Sequence, residues 1–153
     1  GDLRQVVHRA VDLIRPLAAK RSIGIKTTMP DKGAFCEVDF NQMQQVVMNL
    51  IDNAVDASVD GDQIDISLTP DIDQQSWVLD FTDHGEGMDL ETQAKVFEPF
   101  FTTKGVGSGT GLGLSIVHGI IDEHGGKIEL KSAVGQGSQF RISLPVADAG
   151  DAG

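Results

Sequence analysis

The sequence predicts an α/β (α+β) two-layer sandwich, with a mixed, mostly antiparallel sheet and helices packed over one face. Three observations carry that prediction. Segments with apolar residues at helical spacing interleave with segments that alternate apolar and polar residues. The alternating segments fall into two hairpins, and one short β-branched strand stands apart between the first two helices.

Residues 3–18 bring Leu3, Val6, Val7, Ala10, Val11, Ile14 and Leu17 onto one helical face, despite Pro16 near the end. "IGIKTTM" (23–29) reads as a strand from its β-branched content, and "AFCEV" (34–38) as a further extended piece leading into Asp39. Asp39 with Gln42 three residues later resembles a capping box. Met43, Val46, Val47, Leu50, Ile51, Ala54 and Ala57 then form an apolar helix face that ends before Gly61. "QIDISLT" and "SWVLDFT" alternate on either side of the turn-forming "PDIDQQ", as a hairpin requires. "DHGEGMD" is a glycine break. A short helix over "LETQAKVF" runs up to Pro99, and a glycine-rich segment follows. "LGLSIVHGIIDEHGG" returns to helical spacing through Leu112, Ile116, Val117, Ile120 and Ile121 and stops at Gly125 and Gly126. "KIELKSA" and "SQFRISLPV", joined through "VGQG", form a closing hairpin. No internal repeat is present. Residues 1–146 are expected to form one domain, and residues 147–153, "ADAGDAG", a disordered acidic tail.

Composition removes several classes of function. A chain of 153 residues, 40% of them hydrophobic, is large enough for one proper core. The formal net charge of −11, from 23 acidic against 12 unclustered basic residues, argues against nucleic acid or an anionic membrane as a partner. Cys36 is the only cysteine, which excludes an intramolecular disulfide and a cysteine-built zinc site and fits a reducing compartment. No apolar stretch approaches the ~20 residues that span a bilayer, and no basic, then apolar, leader opens the sequence. The expectation is a cytoplasmic domain that makes no membrane contact and is monomeric in isolation.

The chemistry concentrates in "GVGSGTGLGLSIV", where Gly105, Gly107, Gly109, Gly111 and Gly113 occupy every second position. Each glycine inside a regular element costs up to ~1 kcal/mol relative to alanine, so such a run belongs where φ > 0 or a close backbone approach is needed. A Walker P-loop is excluded, because the only Gly-Lys pair, Gly126 and Lys127, is followed by Ile128 and has Ile121 where the first glycine belongs. The pattern G-x-G-x-x-G fails at Leu114. What remains is a glycine-rich loop leading into a helix whose free N–H groups suit an anion, an interaction worth only ~0.3–2 kcal/mol, so partners are needed elsewhere. Three stretches offer them. In "NLIDNAVDAS", Asn49 and Asn53 share a helix face and can present amide oxygens to Mg²⁺ and donors to phosphate. In "DHGEG", Asp83 ends a strand, where its carboxylate can accept from an exocyclic amine such as that of adenine. Its two glycines let backbone approach a flat ligand. In "VFEPFFTTK", Lys104 supplies a point charge for a terminal phosphate, and Phe97, Phe100 and Phe101 pin the segment.

Taken in order, "NLIDNAVDA", "DHGEGM", "VFEPFFTTK", "GTGLGLSIV" and "GQGSQF" closely resemble the asparagine, first glycine, phenylalanine, second glycine and last glycine motifs of bacterial sensor histidine kinases. Those belong to the GHKL ATP-binding superfamily, with DNA gyrase B subunits and mismatch-repair ATPases. The resemblance runs from about Leu3 to Pro145. It implies that Asn53, assisted by Asn49, ligates Mg²⁺, that Asp83 binds the adenine amine, and that Gly85 and Gly87 line the base. It also implies that Lys104, Gly109, Thr110, Gly111, Leu112 and Gly113 belong to a flexible ATP lid and phosphate site, and that Ser138 lies near the Asp83 end of the pocket. Asn49, Asn53 and Lys104 would carry the catalytic work.

ATPase members of the superfamily carry a glutamate four residues before the equivalent of Asn53, to activate water. Here that residue is Asn49, and an amide is no general base, which argues against a gyrase-type hydrolase. Histidine is already largely neutral and nucleophilic near neutral pH, so transfer to it depends mainly on positioning and charge stabilisation. In sensor kinases the accepting histidine lies in a box followed by an acidic residue. His8 precedes Arg9, His84 lies inside the first glycine motif, and His118 and His124 lie on or at the end of the helix after the lid, so none fits. The expectation is the catalytic domain of a larger kinase, one that binds ATP and Mg²⁺, releases ADP, and passes phosphate to a histidine-bearing dimerisation domain upstream of a response regulator. The alternative is a degenerate module that binds nucleotide or a partner without phosphotransfer.

Overall fold

The computed structural model describes residues 2–31, 33–58, 61–98 and 113–146. These form, in chain order, α1 (Leu3–Lys20), β1 (Gly24–Thr28), α2 (Phe40–Ala57), β2 (Gln63–Asp71), β3 (Ser76–Asp83), α3 (Leu90–Lys95), α4 (Gly113–Glu123), β4 (Lys127–Ser132) and β5 (Ser138–Pro145). The strands make one sheet in the order β1-β2-β3-β5-β4. β1 and β2 pair in parallel, which requires a crossover, and α2 supplies it. The other three pairings are antiparallel, so the sheet is mixed and mostly antiparallel as expected.

Strand register separates the two faces. Ile66, Phe81 and Phe140 lie opposite one another across β2, β3 and β5, as do Leu68, Leu79 and Ile142, and all are buried. α1, α2 and α4 cover this face with Leu3, Val6, Val7, Met43, Val46, Val47, Leu50, Ile51, Val117 and Ile121, which join it in one core. On the other face Asp80 and Arg141 face each other across β3 and β5, with Arg141 donating to both carboxylate oxygens at 2.8 and 3.2 Å.

Helix ends follow local chemistry. Asp39 caps α2 by accepting from the Gln42 N–H at 2.9 Å, and Asp89 caps α3 by accepting from Thr92 at 2.7 Å. α4 ends where Gly125 takes φ = +71° and the Gly126 N–H returns to the Ile121 carbonyl at 3.0 Å. α1 continues past Pro16 to Lys20 and ends the same way with a serine: Ser22 has φ = +56°, and the Ser22 and Ile23 N–H groups bond the Ala19 and Ala18 carbonyls at 3.0 and 2.9 Å. A left-handed residue with a Cβ carries strain that glycine does not. Ser22→Gly is therefore expected to raise unfolding stability by about 0.5–1 kcal/mol, read as a higher urea midpoint with an unchanged slope.

The expected extended piece 34–38 forms no regular strand. Phe35 makes a single bridge to Asp2, because the Asp2 carboxylate that caps α1 also accepts from the Ala34 N–H at 3.1 Å. The chain is tied down there and then turns into the Asp39 cap. Burial opposes ionisation of Asp2, but the Arg4 guanidinium and the two backbone donors hold its carboxyl below the usual aspartate range.

Candidate functional site

β3 delivers Asp83 to the end of the central strand opposite Ser138 of β5, on the face that the helices cover. Asp83 is 3% exposed. Its Oδ1 accepts from the Gly85 N–H at 3.0 Å and the Ser138 N–H at 3.2 Å. Burial pushes the carboxyl above the ordinary aspartate range; the two backbone donors and His84 act against that shift, and Asp62 adds to it. A buried, perturbed carboxyl at a strand end, oriented through one oxygen, suits recognition of a ligand donor better than a solvated cap.

The turn after β3 packs against α2 and against the β4–β5 turn. The Ala57 carbonyl at the end of α2 accepts from the Glu86 N–H at 3.3 Å, and the Glu86 carbonyl accepts from the Gly135 N–H at 2.7 Å. A Cβ on Gly85 would fall on the Ala57 carbonyl, and one on Gly87, where φ = +71°, on the Ala133 carbonyl. The close approach these glycines permit is thus to the protein's own backbone, whereas the sequence suggests approach to a ligand. Ser132 completes the floor. Its hydroxyl oxygen lies 2.8 Å from the Met88 N–H, which donates to it, 2.9 Å from the Gly137 carbonyl and 2.8 Å from Ser138 Oγ. Gln93 of α3 donates to the Met88 and Ser132 carbonyls at 2.8 and 3.0 Å.

Asn49 and Asn53 lie one helical turn apart on α2, and Asn53 one turn before Ala57, so both stand on the helix that meets the Asp83 turn. They are half-buried at the edge of the apolar face. Among the described residues no hydrogen bond ends on either side-chain amide, which leaves two oxygen acceptors and their donors free for a ligand. A cavity of about 360 Å³ also opens beside Asp83 and Ser138, between Thr82, His84, Lys131 and Gln139, but neither asparagine lines it.

The structure therefore brings Asp83, Gly85, Gly87 and Ser138 together, and joins them to the helix of Asn49 and Asn53 through Ala57. Gly113 opens α4, and among the described residues no atom lies within 4 Å of where a Cβ on it would stand. Lys104, Gly105, Gly107, Gly109, Thr110, Gly111 and Leu112 lie outside the described residues, as do Phe100, Phe101 and the tail 147–153. Phe97 is described, and its ring meets His118 at 5.4 Å and Phe140 at 6.3 Å, a packing role. His84 is exposed and faces Asp65 at 3.3 Å, His8 is exposed on α1, and His124 bonds the Ile120 carbonyl and the Asp39 N–H. Sequence reasoning assigned no role to Ser132 or Gly137. A serine at a strand end carries no local signal, whereas "GQG" before a strand marks Gly137 as a left-handed position.

Residues 38–148 match the family described as histidine kinase-, DNA gyrase B-, and HSP90-like ATPases. Over 145 residues, 95% of this chain, the sequence is 35% identical to the sensor histidine kinase ZraS of Escherichia coli (strain K12), of which it covers 30%. The nucleotide-free catalytic domain of the histidine kinase ThkA has the same fold, with a TM-score of 0.84 at 31% identity, covering 95% of this chain and 93% of that one. Full-length ShkA in complex with AMPPNP gives a TM-score of 0.82 at 25% identity over 97% of this chain and 31% of that one. The chain thus spans less than a third of the length of curated relatives such as ZraS. Among the described residues no helix is long and apolar enough to cross a membrane. With its motifs in order, its sheet and its Asp83 turn in place, the chain belongs to the histidine kinase-, DNA gyrase B-, and HSP90-like ATPase family, as a relative of the ATP-binding catalytic domains of sensor histidine kinases.

Proposed function

We propose that this domain binds Mg-ATP and donates the γ-phosphate to a histidine on a separate dimerisation domain, within a two-component pathway that ends on a response regulator. The observation that carries the reading is the buried Asp83 carboxylate, held by two backbone donors on Oδ1 and joined through the Gly85 turn to the helix that bears two asparagine amides unbonded among the described residues. Asp83 accepts the adenine amine, the Gly85 and Gly87 turn lines the base, and Ser138 fixes the Asp83 oxygen from below. Lys104 and residues 109–113 are assigned to the phosphates by resemblance.

The asparagines fit Mg²⁺. Hard cations take neutral and charged oxygen ligands, and the Asn53 and Asn49 amide oxygens make no hydrogen bond to the described protein. The ion, when bound with ATP, neutralises charge on the phosphates during transfer. Asn49 supplies no general base, so water is not activated at that position and the acceptor must bring its own nucleophile. A neutral imidazole does so: the N–P bond forms as the bridging O–P bond to the γ-phosphate breaks, and ADP leaves.

The test is a calorimetric titration of this chain with a non-hydrolysable ATP analogue, with and without Mg²⁺, followed by transfer of labelled γ-phosphate to an added histidine-bearing domain. Saturable, Mg²⁺-modulated binding and a phosphorylated histidine in the acceptor are expected. Absence of binding at millimolar nucleotide overturns the proposal, and binding without transfer reduces it to a nucleotide-sensing module.

A further inference from the structure

We propose that Arg21 is a positioning residue for the nucleotide site, acting through the C-terminus of α2. The inference rests on the reading of Asp83 and α2 given above, but the geometry is independent of it. The turn that ends α1 is locked by the Ser22 and Ile23 N–H bonds, and it sends the Arg21 guanidinium across to the neighbouring helix. There Nη1 donates to the Val55 carbonyl and Nη2 to the Ser58 carbonyl, each at 2.6 Å, across 34 and 37 residues of sequence.

Those carbonyls belong to the end of α2, where backbone acceptors outnumber intrahelical donors and the helix dipole is negative. α2 has no basic residue in its own last turn, so the compensating cation arrives from another element. Between the two bonded carbonyls sits that of Ala57, which accepts from Glu86 and leaves no room for a Cβ on Gly85. Gly85 in turn donates to Asp83 Oδ1. A continuous set of contacts therefore runs from the Arg21 fork through the last turn of α2 and the Gly85 turn to the carboxylate. A planar guanidinium offers these two donors from one rigid fork, whereas an ammonium holds its donors on a flexible stem with no fixed spacing.

Without Arg21 the end of α2 loosens against the Gly85 turn, which disturbs the base end of the site and leaves the phosphate end alone. Arg21→Gln and Arg21→Lys are compared with wild type in the full chain by amide hydrogen exchange without ligand and by titration with ATP and GTP analogues. Couplings carried by packed elements alter affinities by about two- to thirtyfold. The expected results for Arg21→Gln are faster exchange at Gly85 and Glu86, by about tenfold, and a narrower preference for the ATP over the GTP analogue by a similar factor. The Mg²⁺ dependence stays as in wild type. Arg21→Lys recovers thermal stability but little of the Gly85 and Glu86 protection. Where Arg21→Gln does not fold, the lysine variant decides by the same two readouts. Wild-type exchange at Gly85 and Glu86 in a folded variant, or equal loss of both analogues, overturns the proposal. A wild-type chain that binds no ATP analogue overturns the nucleotide reading instead, and the exchange data then decide the positioning role by themselves.

Discussion

Asp83→Ala is expected to weaken binding of an ATP analogue by at least about a hundredfold, because it removes the one buried, oriented acceptor at the base end of the site. Asp83→Asn separates two roles of the side chain. An amide oxygen can still accept from Gly85 and Ser138, so the turn survives, but the second position now carries a donor that confronts the adenine amine. The sign of the accompanying stability change follows from the raised carboxyl. A folded-state pKa above the unfolded value means that the folded chain takes the proton first as the pH falls, so protonation favours the fold. The contribution of Asp83 is present on the acid side and is lost as the pH rises through its folded-state pKa. At neutral pH the ionised, buried carboxylate therefore costs stability, and Asp83→Asn melts no lower than wild type. Nucleotide affinity runs the other way and falls on acidification at a higher pH than an ordinary aspartate would dictate. Calorimetry across a pH series with both variants checks all three statements, and tight binding by Asp83→Asn would sink the assigned role.

Gly137→Ala carries the largest expected stability effect, a loss of about 3 kcal/mol or more. Gly137 has φ = +79°, and a Cβ there would fall on the Asp83 carbonyl and against the His84 Cα. Its own carbonyl lies 2.9 Å from the Ser132 hydroxyl, so it cannot shift without disturbing the floor of the site. Gly135, two residues earlier, is the control: it has φ = +78° but, among the described residues, nothing within 4 Å of a Cβ. Gly135→Ala is expected to cost only the left-handed strain, about 1 kcal/mol. Urea unfolding of the two variants measures the close approach by difference, and equal losses would falsify the steric account.

Much of this architecture is legible locally. α2 follows from the Asp39 cap and its apolar spacing, and both hairpins from alternation around turn residues, because caps, turns and hydrophobic period are encoded within a few residues of where they act. The site was legible as an ordered set of motifs: Asp83 and Ser138, 55 residues apart in sequence, do meet. Other features were not. The half-burial of Asn49 and Asn53 depends on which elements flank α2, and the reduction of 34–38 to one bridge depends on Asp2 reaching Ala34.

The sequence by itself determined the main helices and paired strands, the two-layer class and the motif order that brings Asp83 to Ser138, since each of these is written in short-range pattern or motif order. Only the tertiary structure decided that β5 inserts between β3 and β4, that Gly85 and Gly87 are needed for backbone packed on backbone, and that Arg21 caps a helix that begins nineteen residues after it. Each of those is a non-local pairing. Its energy comes from surfaces that exist only after the helices have covered the sheet, so no window of sequence records it.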